Sequence, residues 1–94
     1  MQKHSAELLN TAIGTTSVKV VFEHAMHKVY ICNLHTTAIL YMNPNGAEPA
    51  VSGKGIAIFP KTCFEYDEVV HFESGFSIIS DTAATPNTIT GIYE

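Results

Sequence analysis

Five histidines are the residues whose type most readily suggests a metal site in this chain. His24 and His27 lie three positions apart, but they fall in a break between strand-like runs, where no helix holds both side chains on one face. His4, His35 and His71 are scattered, and the histidine and glutamate spacing of the metal-binding cupin barrels is missing. We therefore expect solvent-facing turn histidines, no metal site and no cofactor.

Acidic side chains form a second candidate site. Glu65 and Asp67 alternate along a strand-like run, which points both carboxylates to one face about 7 Å apart. That spacing suits a pair of acid/base carboxylates or a Ca²⁺ site, and Glu68 and Glu73 add charge nearby. Nothing in the sequence places a substrate beside them. We favour a solvated face or a charged edge that opposes sheet aggregation, and we predict no catalytic residue and no enzymatic activity.

Two weaker patterns also have structural explanations. The segment Ser52–Gly55 reads SGKG, but it lacks the spacing of a phosphate-binding loop and a strand follows it instead of a helix. Tyr30, Tyr41, Tyr66 and Tyr93 all fall in strand-like runs, where aromatic residues are common. The chain has no Trp, which weakens the case for an aromatic sugar-binding platform.

Composition limits the classes of protein that remain. The chain has 94 residues, 46% hydrophobic and 15% charged, which is typical of one small globular domain. A net charge of −4 without a Lys/Arg cluster argues against nucleic acid as a partner. No apolar run approaches the roughly 18 residues that span a membrane, and the first residues do not form a signal peptide. We expect a protein made and used without export, with no membrane partner.

The two cysteines lie far apart in the sequence and in no metal-binding spacing. Cys32 and Cys63 each sit in an apolar strand-like run, where a free cysteine behaves as a small hydrophobic residue. A disulfide between them is the alternative, which the lack of an export signal disfavours. We expect two free thiols.

Alternation of apolar and polar residues predicts a series of short strands. Thr16–Phe22 places Val18, Val20 and Phe22 on one side, and Val29–Leu34 places Val29, Ile31 and Asn33 opposite Tyr30, Cys32 and Leu34. Further strands are predicted at Ile39–Asn43, Gly55–Phe59, Cys63–Asp67, Phe76–Ser80 and Thr88–Tyr93, with an edge strand at Val69–Phe72. Gly91 is predicted to mark a bulge or a close approach of two chain segments.

Connections between these strands follow from their turn residues. The short break His35–Thr37 predicts an antiparallel hairpin of the strands on either side. Asn43–Gly46 (NPNG) is the strongest turn signal, since Pro fixes φ while Asn and Gly tolerate positive φ. The chain is predicted to leave the sheet there and to form a loop over Ala47–Lys54.

The chain therefore predicts an all-β fold, a small antiparallel β-sandwich or jelly-roll-like barrel of about seven or eight short strands. Residues 15–94 are predicted to form this domain. Residues 1–14 are predicted to be an N-terminal arm or a short helix, with Ser5 able to cap a turn that carries Leu8 and Leu9. As an extended arm, this segment would dock Leu8, Leu9 and Ile13 on a neighbouring subunit.

The order of the motifs VYICN, ILYMN, GIAIFP, FEYDE, GFSIIS and TITGIYE resembles that of small bacteriophage virion proteins. In that group a strand ending in Asn precedes a hairpin, a G-I-x-I-x-P turn introduces the next strand, and a short strand ends the chain. The resemblance covers Val18 to Glu94. The first fourteen residues have no counterpart in it.

This resemblance implies a non-enzymatic structural protein, either a capsid decoration (cement) protein or another minor head protein. It implies binding to the major capsid protein or other virion proteins as a symmetric homo-oligomer, a trimer being favoured, in a virion assembled in the host cytoplasm. The predicted interface residues are Leu8, Leu9, Ile13, Asn43, Pro44, Asn45 and Gly46. The alternatives are a head-tail connector, a tail or host-glycan-binding module, and a small cupin-like metal-binding enzyme.

Overall fold

The computed structural model describes residues 3–23, 26–67 and 75–93. Within them the chain forms eight strands and no helix, which confirms the predicted all-β fold. In chain order the strands are β1 (His4–Leu9), β2 (Val18–Val21), β3 (Met26–Asn33), β4 (Leu40–Asn43), β5 (Ile56–Ile58), β6 (Cys63–Tyr66), β7 (Gly75–Ser80) and β8 (Asn87–Tyr93).

The strands form two four-stranded antiparallel sheets. The first sheet has the order β1-β8-β3-β6 and the second the order β2-β7-β4-β5. This order pairs β1 with β8, β2 with β7, β3 with β6 and β4 with β5. The four pairs are those of one long antiparallel hairpin, with β4 and β5 at its closed end, that is wrapped into two sheets. That pairing is the jelly roll, so the structure has the jelly-roll form of the predicted β-sandwich.

Seven of the observed strands lie in or overlap runs that alternation predicted, with ends that differ by at most three residues. The faces also agree: Val29, Ile31 and Asn33 of β3 are buried, while Tyr30 and Cys32 point outward. The predicted edge strand at Val69–Phe72 lies outside the described residues.

The predicted hairpin of β3 and β4 is wrong. These two strands belong to different sheets: β3 pairs with β8 and β6, and β4 pairs with β5 and β7. The connection of residues 34–39 therefore carries the chain across the sandwich. Among the strands of the described residues, β4 and β5 are the only neighbours in sequence that pair directly, and a loop of twelve residues, 44–55, joins them.

The N-terminal segment is neither a separate arm nor a helix over the described residues. Residues His4–Leu9 form β1, which pairs antiparallel with β8 from His4 opposite Tyr93 to Leu9 opposite Ile89. The register shifts between Glu7 and Leu9, and such a bulge lets both Leu8 and Leu9 pack against the core. The boundary predicted at residue 14 thus falls inside the sandwich.

The core lies between the two sheets and is built from the inward face of every strand. Its fully buried side chains include Ile31, Leu40, Met42, Phe76 and Ile89. At Gly91 a Cβ atom would lie 2.6 Å from the sulfur of Met26 and 3.1 Å from Leu8. The close approach predicted at Gly91 is therefore confirmed, and the bulges lie elsewhere, at Glu7–Leu9 and Met26–Lys28.

The loop of residues 44–55 folds back against the second sheet. Ser77 and Ile79 point away from the core, yet they are only 3% and 8% exposed. Gly46 lies against the backbone of Gly75, and the amide of Ala50 donates to the Ser17 hydroxyl at 2.8 Å. The loop thus leaves the sheet after Asn43, as predicted, and then folds back across β7 to β2.

Cys32 and Cys63 form a disulfide, so the expectation of two free thiols is wrong. The two residues are directly opposite in the β3–β6 pair, on the outer face of the first sheet. Cys63 is exposed and Cys32 half-buried. The bond joins the edge strand β6 to the inner strand β3, which the 31-residue separation in sequence does not reveal.

Candidate functional site

The predicted interface residues of the N-terminal segment have their apolar side chains turned toward the protein's own core. Ile13 is fully buried, and its backbone exchanges hydrogen bonds of 2.9 and 2.7 Å with Thr85. Ile13 is therefore a core residue in this fold and is not exposed to a partner. Leu8 and Leu9 are half-buried on the edge strand β1, and the interface assigned to them stays a prediction.

The predicted loop contact at Asn43–Gly46 is accessible and tightly organised. The Asn43 side chain accepts the amide of Asn45 at 3.0 Å, and the Asn45 side chain accepts the amide of Ala47 at 3.0 Å. The Asn45 side chain also donates to Glu48 at 3.2 Å. Gly46 is required by close packing on Gly75 and has an ordinary negative φ, so the turn forms without the positive φ that its sequence allows.

An open cleft of about 450 Å³ lies beside this turn. Its lining combines the polar side chains of Asn43, Glu48 and Lys54 with the half-exposed Val51. Amide, carboxylate and ammonium groups around an open, partly apolar cleft can hydrogen-bond a polar ligand or a partner's backbone. The turn and the cleft together place several polar side chains on one accessible surface at this end of the sandwich.

At the opposite end of the sandwich, Asn33 joins the two sheets. Asn33 is fully buried in β3, and its amide nitrogen donates to the carbonyls of Ala38 at 2.7 Å and Ile58 at 3.0 Å. Its side-chain oxygen accepts the amide of His35 at 3.0 Å. All of these partners are backbone groups, so Asn33 stabilises the fold.

His35 has a comparable structural role. Its Nδ1 atom accepts the amides of Thr37 and Ala38, each at 2.9 Å, which requires that Nδ1 carry no proton. These bonds bend the connection between β3 and β4 and direct it to the second sheet. The Nδ1 atom of the imidazole is thus occupied by backbone amides, and Nε2 is the ring nitrogen that can bond to other groups.

Asp81 links the connection after β7 to the start of β4. Its carboxylate accepts the amide of Ile39 at 3.0 Å and the hydroxyl of Thr82 at 2.9 Å. These two hydrogen bonds, the one from Ile39 most of all, hold the pKa of Asp81 below its usual range. Both hydrogen-bond partners of the carboxylate thus lie in the connections beside β4 and β7, and Asp81 stabilises these connections.

The lowered pKa of Asp81 predicts a defined loss of stability in acid. A folded-state pKa below the unfolded value means that the contribution of Asp81 is fully present above about pH 4 and is lost as the pH falls through the folded-state pKa. Replacing Asp81 with Asn keeps an acceptor for Ile39, so the variant is expected to lose less stability below about pH 4 than the wild type does. NMR titration of the side-chain carbonyl carbon checks the cause, and a midpoint at or above about 3.9 would contradict it.

The remaining candidates for chemistry are dispersed over the described surface. His4 lies beside Tyr93, with ring centroids 5.4 Å apart, and His27 is exposed on β3. Glu65 and Asp67 are both exposed next to a shallow cleft of about 160 Å³ at β6. Over the described residues, no three His, Cys, Asp or Glu side chains converge as a metal ion would require. His24, Glu68, His71 and Glu73 lie outside the described residues.

Comparison of the chain with protein-family models, curated protein sequences and solved structures found no match. Over the described residues, no helix is long and apolar enough to cross a membrane.

Proposed function

We propose that this chain is a non-enzymatic structural protein of a bacteriophage virion, a capsid decoration protein that binds the assembled shell. The observation that carries the proposal is the jelly-roll strand order, β1-β8-β3-β6 over β2-β7-β4-β5, in a chain of 94 residues. The jelly roll is an architecture of viral capsid domains, and lectins and cupins share it. The motif order of VYICN through TITGIYE favours the virion among these classes.

The polar groups also support a structural role. At one end of the sandwich, the side chains of Asn33, His35 and Asp81 make most of their hydrogen bonds to backbone groups. A catalytic residue instead needs a reactive atom free to meet a substrate. The bonding of these three side chains therefore favours a scaffold over an enzyme.

The disulfide is compatible with a protein displayed outside a reducing cytoplasm. Disulfides persist on virion and cell surfaces, where glutathione does not reduce them. In this proposal the protein is synthesised in the host cytoplasm, binds the major capsid protein or another virion protein, and the Cys32–Cys63 bond then persists in the released particle.

The proposed assembly is a symmetric homo-oligomer, for which a trimer is favoured. A domain of this size buries only about 60 to 65% of the surface its unfolded chain exposes, so contacts between copies would add stability. The proposed contact with the shell is the turn Asn43–Gly46, which is accessible and held rigid by its own asparagine side chains.

Co-sedimentation with capsid shells tests this proposal. The shells to be tested are empty particles assembled from a major capsid protein of the genome that encodes this chain, and saturable binding of an oligomer is expected. Asn45→Arg adds a long cation and removes the bonds to Ala47 and Glu48, so we expect binding weakened by about tenfold or more. Ala83→Arg, at an exposed position at the opposite end of the sandwich, is the matched control and should bind as the wild type does.

Two outcomes would contradict the proposal. The first is a stable monomer at micromolar concentration that does not bind the shells. The second is specific binding in a glycan-array screen that Asn43→Ala and Lys54→Ala abolish. The second outcome would instead favour a tail or host-glycan-binding module that uses the cleft of about 450 Å³.

A further inference from the structure

The edge strand β1 presents the longest open strand backbone among the sheet edges of the described chain. The two sheets end on β1 and β6 and on β2 and β5, and β1 has six residues against four, four and three for the others. Alternate amides and carbonyls of an edge strand point away from its sheet and can pair with another strand. The register of β1 is regular from His4 to Glu7, so an added strand can pair with this segment.

The outer face of β1 carries opposite charges at equal distances from Ser5. Ser5 and Glu7 are exposed on this face, and Lys3, which directly precedes the strand, is exposed and continues the same alternation. Lys3 and Glu7 are about 13 Å apart along an extended chain, too far for an ion pair within one molecule. Among the described residues, neither side chain forms an ion pair. Each charge can therefore pair with an opposite charge on another molecule.

A second copy of β1 supplies those opposite charges. Two identical strands that pair antiparallel about a two-fold axis at Ser5 set residue 3 of each copy directly opposite residue 7 of the other. Each Glu7 carboxylate then faces Lys3 of the partner subunit, and opposite charges directly across two antiparallel strands stabilise their pairing. On the other face the same register sets His4 opposite the small Ala6. The pattern of β1 is thus complementary to itself.

The other two-fold registers lack this match. A centre at Ala6 sets Glu7 opposite Ser5, and a centre at His4 sets Lys3 opposite Ser5, so both registers leave the charges without partners. A centre at Glu7 sets two carboxylates opposite each other, which is destabilising. The register shift after Glu7 also ends the regular backbone of β1. Charge and backbone together favour the register centred on Ser5.

A groove beside β1 gives this edge further surface to bury. The groove has a volume of about 210 Å³ and lies between β1 and β2, the edge strand of the other sheet. Val21 of β2 forms an apolar wall and is 56% exposed. Because β1 and β2 lie on the same side of the sandwich, a second molecule paired to β1 would extend over this groove and cover part of Val21.

We propose that β1 is a two-fold interface between two copies of this chain, paired antiparallel about Ser5 with Lys3 opposite Glu7. The first sheets of the two copies then form one continuous sheet. This contact makes a dimer, so the trimer favoured above would use a different surface. The inference concerns copies of this chain alone and does not depend on binding to a capsid shell.

Charge exchange between the two positions tests the interface, with sedimentation equilibrium of the full-length protein at about pH 7.5, where histidines are mostly neutral. Lys3→Glu alone and Glu7→Lys alone each set like charges opposite one another, and each should weaken the dimer about fivefold or more. Mixing these two variants restores both opposite-charge pairs, so a heterodimer should form about as well as the wild-type dimer. Lys61→Glu and Glu65→Lys, which make the same charge changes away from β1, are the matched controls and should change dimerisation by less than about twofold.

NMR of the wild type reads the register. Amide exchange in β1 should slow as the protein concentration rises, because pairing protects the open edge. In a mixture of isotope-labelled and unlabelled protein, nuclear Overhauser contacts between copies should join residue 3 of one copy to residue 7 of the other.

Three results would overturn the interface. They are a monomer at concentrations up to about 1 mM, an oligomer whose contacts between copies lie away from β1, and a mixture of the two charge variants that associates no better than either alone. None of them affects the proposal of shell binding, which is tested at Asn43–Gly46. Conversely, a dimer through β1 that fails to bind shells would contradict the capsid proposal and support this interface.

Discussion

Removal of the Cys32–Cys63 disulfide is expected to lower the free energy of unfolding by about 3 to 4 kcal/mol. The bond closes a loop with a sequence separation of 31, and it restricts the unfolded chain by the entropy of that closure. For a domain of this size the loss corresponds to a decrease in Tm of about 15 to 20 °C. Few other single changes on the surface of the protein should cost as much.

The measurement is urea unfolding of the double variant Cys32→Ala, Cys63→Ala beside the wild type. Both side chains lie on the outer face of the first sheet, so alanine removes little buried volume. The wild type in excess dithiothreitol should unfold at the same urea concentration as the variant, and dithiothreitol should leave the variant unchanged. A difference below about 1 kcal/mol between wild type and variant would contradict the loop-closure argument.

The same experiment shows what the disulfide does locally. The bond connects β6, a four-residue edge strand, to β3. Without it, amide exchange in β6 should accelerate more than exchange in β8, which is held between two neighbours. Uniform acceleration of exchange in all strands would mean that the bond acts on the unfolded chain alone.

Alternation of side chains located most of the strands because a half-buried strand needs an apolar residue at every second position. The pattern failed at β1, where the bulge after Glu7 lets the adjacent Leu8 and Leu9 both pack inward and so imitates a helical turn. Alternation specifies the face of a strand and leaves its partner open. For this reason β3 and β4 could be located while their hairpin was predicted wrongly.

The crossing between β3 and β4 depends on side-chain bonds that no local pattern encodes. His35 accepts two backbone amides three residues or fewer away, and Asn33 bonds to Ile58, which is 25 residues distant. A buried Asn at the third position of the series Val29, Ile31, Asn33 was the visible signal, because a buried amide must find hydrogen-bond partners. The disulfide is a similar case, since two distant cysteines become opposite only when β3 and β6 pair.

The candidate interface was predictable in part. The turn Asn43–Gly46 was located by its Pro, Asn and Gly residues, but its return across the second sheet depends on distant partners, Ser17 and Gly75. Ile13 was assigned to an interface because an apolar residue in an extended terminal segment is expected to be exposed and able to bind a neighbouring subunit. Its bridge to Thr85 buries it instead. The groove beside β1 could not be predicted, because it needs the relative position of two sheets.

Replacement of Asn33 by Leu is expected to destabilise the fold by about 2 to 4 kcal/mol. Leucine has a similar volume, so the core stays filled, but the carbonyls of Ala38 and Ile58 lose the donors that satisfy them. Each buried carbonyl left without a donor costs about 1 to 3 kcal/mol. Since Ala38 precedes β4 and Ile58 ends β5, the loss also loosens the contact between the two sheets.

Asn87 provides the matched control for this prediction. It is directly opposite Asn33 in the β3–β8 pair and donates from its amide to the carbonyls of Thr11 and Thr85 at 3.0 and 3.2 Å. These contacts are exposed or partly buried, and the Asn87 side-chain oxygen has no hydrogen-bond partner among the described residues. Because water can replace the exposed bond, Asn87→Leu should cost less, about 1 kcal/mol.

Urea unfolding gives the free energy of unfolding that each variant loses, and NMR of residues 34–39 shows whether the connection changes. The difference between the two variants is the contribution of the buried hydrogen bonds of Asn33 beyond that of losing any asparagine at this end of the sandwich. Shift changes over the 34–39 connection are expected for Asn33→Leu and not for Asn87→Leu. Asn33→Asp should be at least as destabilising as Asn33→Leu at neutral pH, because an ionised carboxylate would face two carbonyl oxygens. Equal losses for the Asn33 and Asn87 variants would show that the buried bonds of Asn33 do not hold the two sheets together.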